Sequence, residues 1–179
     1  ISSDKMYYFD RNENKITMQP YGDEVSVTLN RNEIIYGLNM NVITFESGIK
    51  ETKTFTPKSK ILGEELFIKK YICKNDRSTI IFEYDKNDAS SYVKQQIICV
   101  ALDSIKNTFI IRNPKNIIAY TGNIKIDYEF HMTGLRSSKE SSIFIKLKLK
   151  TNTNSNGFIW LVVDNYKKIE SDIPKESIK

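Results

Sequence analysis

A chain of 179 residues with 40% apolar and 27% charged side chains can bury a core and is too apolar to be disordered. It holds no run of about 18 apolar residues, which excludes a helical membrane span. The net charge of +5 invites acidic partners, but it comes from 22 Lys and only five Arg, whereas nucleic-acid binding draws on Arg and stacking aromatics on one surface. No nucleic-acid partner is expected.

In chain order, Met6–Asp10 and Lys15–Gln19 read as a hairpin around the turn at 11–14, broken by Pro20 and Gly22. Glu24–Leu29 alternates cleanly, with Val25, Val27 and Leu29 on one face. Ile34–Phe45 is strand-like but interrupted at Gly37. A turn at 46–50 leads to a short strand, Thr52–Thr56, ended by Pro57. After the loop 58–65, three runs rich in β-branched and aromatic residues follow: Leu66–Cys73, Thr79–Tyr84 and Tyr92–Leu102. Polar turns separate them, and the pattern predicts three neighbouring antiparallel strands.

Asp103–Asn107 is the expected boundary, dividing a β-sandwich at 1–104 from a further β region at 105–179. Beyond it come Thr108–Arg112, Ile117–Tyr120 and Asn123–Phe130, then a polar loop from His131 to Ser142. Ile143–Lys150 is the cleanest half-buried strand, with Ile145, Leu147 and Leu149 facing the core and Lys146, Lys148 and Lys150 facing water. A loop at 151–157 precedes the buried-type strand Phe158–Val163, and Asn165–Asp172 is the single helical candidate. About twelve short strands predict an all-β chain: an immunoglobulin-like antiparallel β-sandwich with room for a second, partial sandwich.

Cys73 and Cys99 either bond or remain as two buried thiols. If one strand of the same sheet separates them they lie about 9–10 Å apart, beyond disulfide reach, whereas placement on opposite sheets allows a bridge. With His131 alone they cannot complete a zinc site. Asp85, Asp88 and Asp103 lack the spacing of a calcium loop, and the chain has no phosphate-cradling Gly loop and no nucleophile elbow. No catalytic residues, no metal and no cofactor are expected, and the chain is not read as an enzyme.

The order of strands and loops between 24 and 102 resembles the chagasin family, immunoglobulin-like inhibitors of papain-type cysteine proteases. The resemblance rests on Asp23-Glu24-Val25-Ser26-Val27-Thr28-Leu29, on Pro57-Lys58-Ser59-Lys60-Ile61-Leu62-Gly63 and on the strand Ser78–Tyr84. A second echo is Asn154-Ser155-Asn156-Gly157-Phe158-Ile159-Trp160, with the Gly-aromatic-x-Trp ending of the family's first loop. The chain departs from the pattern in the turn Asn30-Arg31-Asn32-Glu33, in Gly63-Glu64-Glu65 and in 85–91, which lacks an Arg-Pro-Trp.

The resemblance implies a loop-mediated, non-covalent inhibitor. Its partner-binding residues would be Asn154, Ser155, Asn156, Gly157 and Phe158, with Leu62 and Gly63, and its partner a papain-type cysteine protease or another protein. Gly157 is able to take positive φ and Trp160 would anchor the loop base in the core, while an ordinary β-hairpin turn is the other reading of Asn156-Gly157. The alternatives are an immunoglobulin-like binding or adhesion module and a pleckstrin-homology-like lipid module with its Lys-rich strand toward anionic lipid. Membrane contact is not expected under the first two readings. The Lys-, Ile- and Asn-rich composition resembles that of AT-rich genomes such as malaria parasites. The chain starts at Ile1 with no Met or basic–apolar leader, which suggests a mature fragment. A secreted or vacuolar, surface-associated protein is expected.

Overall fold

The computed structural model describes residues 1–4, 9–10, 15–16, 24–54, 60–61, 64–65, 68–85, 96–111, 114–132 and 141–163. Its strands, in chain order, are β1 (Ser2–Ser3), β2 (Phe9–Asp10), β3 (Lys15–Ile16), β4 (Glu24–Asn30), β5 (Ile34–Gly37), β6 (Met40–Phe45), β7 (Ile49–Thr54), β8 (Lys60–Ile61), β9 (Glu64–Glu65), β10 (Ile68–Cys73), β11 (Arg77–Tyr84), β12 (Gln96–Leu102), β13 (Thr108–Ile111), β14 (Ile117–Thr121), β15 (Ile124–Met132), β16 (Ser141–Leu149) and β17 (Gly157–Val163). A single 3₁₀ turn, Pro114–Asn116, precedes β14, and the described residues contain no α-helix. None of them forms a helix long and apolar enough to cross a membrane. The expected all-β antiparallel sandwich class is therefore the fold. The helical candidate Asn165–Asp172 lies outside the described residues.

Three sheets carry the architecture. A six-stranded sheet runs β12-β17-β14-β5-β10-β7, a four-stranded sheet β1-β4-β11-β6, and a three-stranded sheet β13-β16-β15. The hairpin expected at the N-terminus appears as the small pair β2–β3, with Phe9 opposite Ile16. The central six-stranded sheet is buried on both faces along β12, β17 and β14, whereas β7 at its other edge is largely exposed. On β17, Ile159 and Leu161 enter one core while Phe158, Trp160 and Val162 enter the other. On β12 the same division puts Ile98, Val100 and Leu102 on one side and Ile97 and Cys99 on the other.

The four-stranded sheet closes one core with Val25, Val27, Leu29, Ile80 and Phe82. The three-stranded sheet closes the other with Phe109, Ile111, Ile145, Leu147 and Leu149. The outer sheets are thus amphipathic, with a period of two, whereas central strands read as continuous apolar runs. The third layer packs on the same central sheet as the four-stranded one. Strands from both sides of residue 104 interleave there, with β14 and β17 lying between β12 and β5.

The three consecutive runs from 66 to 102 are not a meander, which corrects the sequence expectation. β10 sits between β5 and β7, β11 between β4 and β6, and β12 beside β17. The polar turn at 74–76 carries the chain from one sheet to the facing one, so Tyr71 and Cys73 of β10 meet Ile80 and Phe82 of β11 across a core. A polar turn serves a crossing as well as a hairpin, and the sequence pattern is the same for both. The loop expected at 131–142 also shortens, because β15 continues through Met132 and β16 begins at Ser141, with His131 opposite Ser142.

Cys73 and Cys99 are free and buried. They share the central sheet with three strands between them, so four inter-strand steps set their strands about 19 Å apart, far beyond disulfide reach. Tyr71 lies opposite Glu51, and burial with that carboxylate nearby pushes its phenol well above the ordinary range. It stays neutral. On the edge strand β6 the register shifts between Ile81 and Phe82 of its neighbour, leaving Ile43 as the bulged, exposed residue. A bulge blunts an edge against pairing with another chain.

The register of β16 can be tested directly, since Leu147 is fully buried and Lys148 exposed. Leu147→Ala is expected to cost about 2–4 kcal/mol and Lys148→Ala less than about 0.5 kcal/mol, read from urea denaturation midpoints.

Candidate functional site

One end of the sandwich gathers the starts of β5, β15 and β17 and the ends of β14 and β16. The sheet order makes this unavoidable: β17, β14 and β5 are adjacent, and Ile124 of β15 lies opposite Leu149 of β16. Three loops meet there, the turn at 30–33, the turn at 121–123 and the loop at 150–156. Between them lies a cleft of about 570 Å³. Side chains of Asn32, Glu33, Asn123, Lys150, Thr153 and Asn156 line it, with Ile34 and Phe158 contributing apolar surface.

Asn123 organises the cleft. Its Nδ2 donates to the Asn156 carbonyl at 3.0 Å and to the carbonyl and Oγ of Ser155, each at 3.3 Å. Its own carbonyl accepts from the Lys150 amide at 2.8 Å, so both ends of the 150–156 loop are tied to one residue. The Thr121 hydroxyl donates to Asn123 Oδ1 and accepts from the buried Phe158 amide at 3.0 Å, which fixes the side chain that fixes the loop. The Gly122 amide donates to the Ile34 carbonyl at 2.8 Å, joining this turn to β5.

On the far wall, Glu33 Oε1 accepts from the Asn30 amide at 2.8 Å, closing the 30–33 turn on itself. Asn32 stands at φ 68° and Asn152 at φ 65°, and asparagine is among the non-glycine residues that best tolerate this left-handed region.

The sequence-derived site residues divide. Asn154, Ser155 and Asn156 are exposed in the loop, and Ser155, Asn156 and Phe158 line the cleft. Gly157 and Phe158 are buried in β17. Gly157 lies outside the left-handed region, so the positive φ open to it is not used. A Cβ there would lie 2.7 Å from Ile124 Cγ1 and 2.9 Å from Leu149 Cδ1, so the glycine is required by packing rather than by a turn. Trp160 anchors the loop base as expected: it is fully buried, meets Phe82 edge-on at 5.8 Å, and its Nε1 donates to Ser3 Oγ at 3.4 Å. Leu62 and Gly63 lie outside the described residues.

Sequence reasoning missed Thr121, Asn123 and Lys150 as parts of this end. The Gly122-Asn123 turn signal was present, but its role depends on β14 and β17 being neighbours.

Chemically, the cleft offers hydroxyl, amide, ammonium and carboxylate groups for hydrogen bonding. Glu33 is the one carboxylate among the described residues that line it. No group of three or more His, Cys, Asp or Glu among the described residues could hold a metal ion.

Loss of the Asn123 side chain strips three hydrogen bonds from the loop. Asn123→Ala is expected to cost about 1–3 kcal/mol and to speed amide exchange across 151–156. Gly157→Ala is expected to cost a similar amount, about 1–3 kcal/mol, by overpacking Ile124 and Leu149. The exposed Asn154→Ala should stay within about 0.5 kcal/mol of wild type in the same denaturation assay.

No protein-family model matches the chain, and no curated protein matches it. Among solved structures, the X-ray crystal structure of protein SPYM3_0169 from Streptococcus pyogenes is similar to it, with a TM-score of 0.54 at 12% sequence identity. The match covers 82% of this chain and 62% of that one, so this chain spans less than two thirds of its neighbour's length. Likeness at that identity concerns the fold alone.

Proposed function

We propose that this protein is a non-enzymatic recognition module that binds a partner protein through the cleft at its loop end. One observation carries the reading: a seven-residue polar loop is held in one shape by Asn123 beside a cleft of about 570 Å³. A loop ordered before binding loses little conformational entropy on contact, which favours recognition. Polar side chains outnumber apolar ones among the residues that line the cleft, and they stand beside apolar surface from Ile34 and Phe158, a mixture that suits a protein segment carrying both kinds of group. A secreted or vacuolar, surface-associated setting goes with such a module.

The narrower form of this reading is inhibition of a papain-type cysteine protease, with the 154–156 loop entering the active-site cleft and Leu62 and Gly63 as further contact residues. The resemblance to the chagasin family supports it, and so does the exposure of Asn154, Ser155 and Asn156. Gly157, buried in its strand, would contribute through the fold and not through contact.

Selection of displayed peptides on the immobilised protein tests the broad reading. Enriched peptides should bind wild type at least about tenfold tighter than Thr153→Trp, a variant that fills the cleft. Equal binding to both, with both folded, contradicts the cleft as the contact site. Titration against papain tests the narrow form: micromolar inhibition weakened by Asn154→Ala and Asn156→Ala supports it, and absence of inhibition leaves the recognition module without that partner.

A further inference from the structure

The connection between β12 and β13 presents an apolar tip. Ile105 is 80% exposed, although it is a large aliphatic side chain in a turn whose backbone is firmly held. Asp103 Oδ1 accepts from the Ile105 amide at 2.8 Å and from the Lys106 amide at 2.6 Å, while the Asp103 amide donates to the Lys106 carbonyl at 2.9 Å. The turn is also docked: the Leu149 amide donates to the Asn107 carbonyl at 2.8 Å, and Thr108 stands opposite Lys148. The hydrogen bonds that close the turn use backbone groups and the Asp103 side chain, so they fix the place of Ile105 without calling on its side chain.

Lysines adjoin this tip. Lys148 and Lys125 are directly opposite each other on the outer face of the three-stranded sheet, and both are exposed. Like charges placed opposite one another across an antiparallel pair are unfavourable. Lys146 and Lys150 continue the row at about 6.8 Å per two residues. Asp127 lies opposite Lys146 and contacts Lys125 at 3.8 Å, and the Asp103 carboxylate keeps its charge in the turn, but the four lysines outnumber these two carboxylates.

We propose that the 103–107 turn and these lysines form a contact site for an anionic lipid surface. Ile105 enters the boundary between headgroups and acyl chains, and Lys125, Lys148 and Lys150 meet headgroup phosphates. Charge complementarity argues for lipid over a neutral partner, and a single projecting apolar tip on a cationic face suits a deformable surface. The site is separate in function from the recognition cleft, which it borders at Lys150.

The test is co-sedimentation of the full chain with vesicles of phosphatidylcholine alone and of phosphatidylcholine with 30% phosphatidylserine. Wild type should favour the anionic vesicles, with binding falling as salt rises. Ile105→Ser should weaken that binding about tenfold, as expected for losing one buried aliphatic side chain. Lys148→Ala combined with Lys125→Ala should weaken it about 25-fold, at about fivefold per lysine. Ile105→Ser should melt with wild type, since the side chain is exposed.

Equal binding to both vesicle types, or no binding, overturns the proposal. So does anionic-vesicle binding that Ile105→Ser leaves intact. Binding of soluble polyglutamate as tight as that of vesicles, and unchanged by Ile105→Ser, would assign the lysines to an acidic protein partner and overturn it as well.

Discussion

Burial of β12, β17 and β14 on both faces of the central sheet is the constraint from which the rest of this molecule follows. Each of these strands must supply buried side chains at odd and even positions alike, and β17 does so with Phe158, Trp160 and Val162 toward one core and Ile159 and Leu161 toward the other. Two half-buried sheets can then cover it, each spending only alternate residues on the interior. β14 meets the same demand with five buried residues in a row, aided by a register shift between Ile117 and Ala119 that puts Ile118 and Ala119 on one side.

The cleft is a consequence of this arrangement. Because β17, β14 and β5 are neighbours, the turns at their common end converge without any dedicated structure. Polar side chains then do the local work. Thr121 orients Asn123, Asn123 holds the loop, and the loop shapes one wall. The glycine at the root of the loop lets β17 lie close under Ile124 and Leu149, so core packing and loop position are coupled at Gly157.

Much of the fold was legible because half-buried strands announce themselves by a period of two. Val25, Val27 and Leu29, and Ile145, Leu147 and Leu149, are all buried as their spacing implied. Central strands were legible as strands, but their continuous apolar runs do not say which side chain enters which core. Strand partners were illegible at the turn 74–76, whose polar residues are equally suited to a hairpin and to a crossing between sheets. At the site, the Asn- and Ser-rich loop was visible as an exposed polar segment. The meaning of Gly157 was not, because a glycine following Asn reads locally as a turn, while the atoms that require it belong to Ile124 and Leu149. Asn123 was hidden for the same reason: its partners are about thirty residues away in sequence.

The claim that one doubly buried sheet unites both cores is tested most directly through Trp160, the single tryptophan, which reports on the core between the central and four-stranded sheets. Phe109 belongs to the opposite core. Urea unfolding of Phe109→Ala should be followed by tryptophan fluorescence and by far-ultraviolet circular dichroism. The shared sheet predicts that both signals move to the same lower midpoint in a single transition. A Trp160 transition that stays at its wild-type midpoint while the circular dichroism splits into two steps would contradict it.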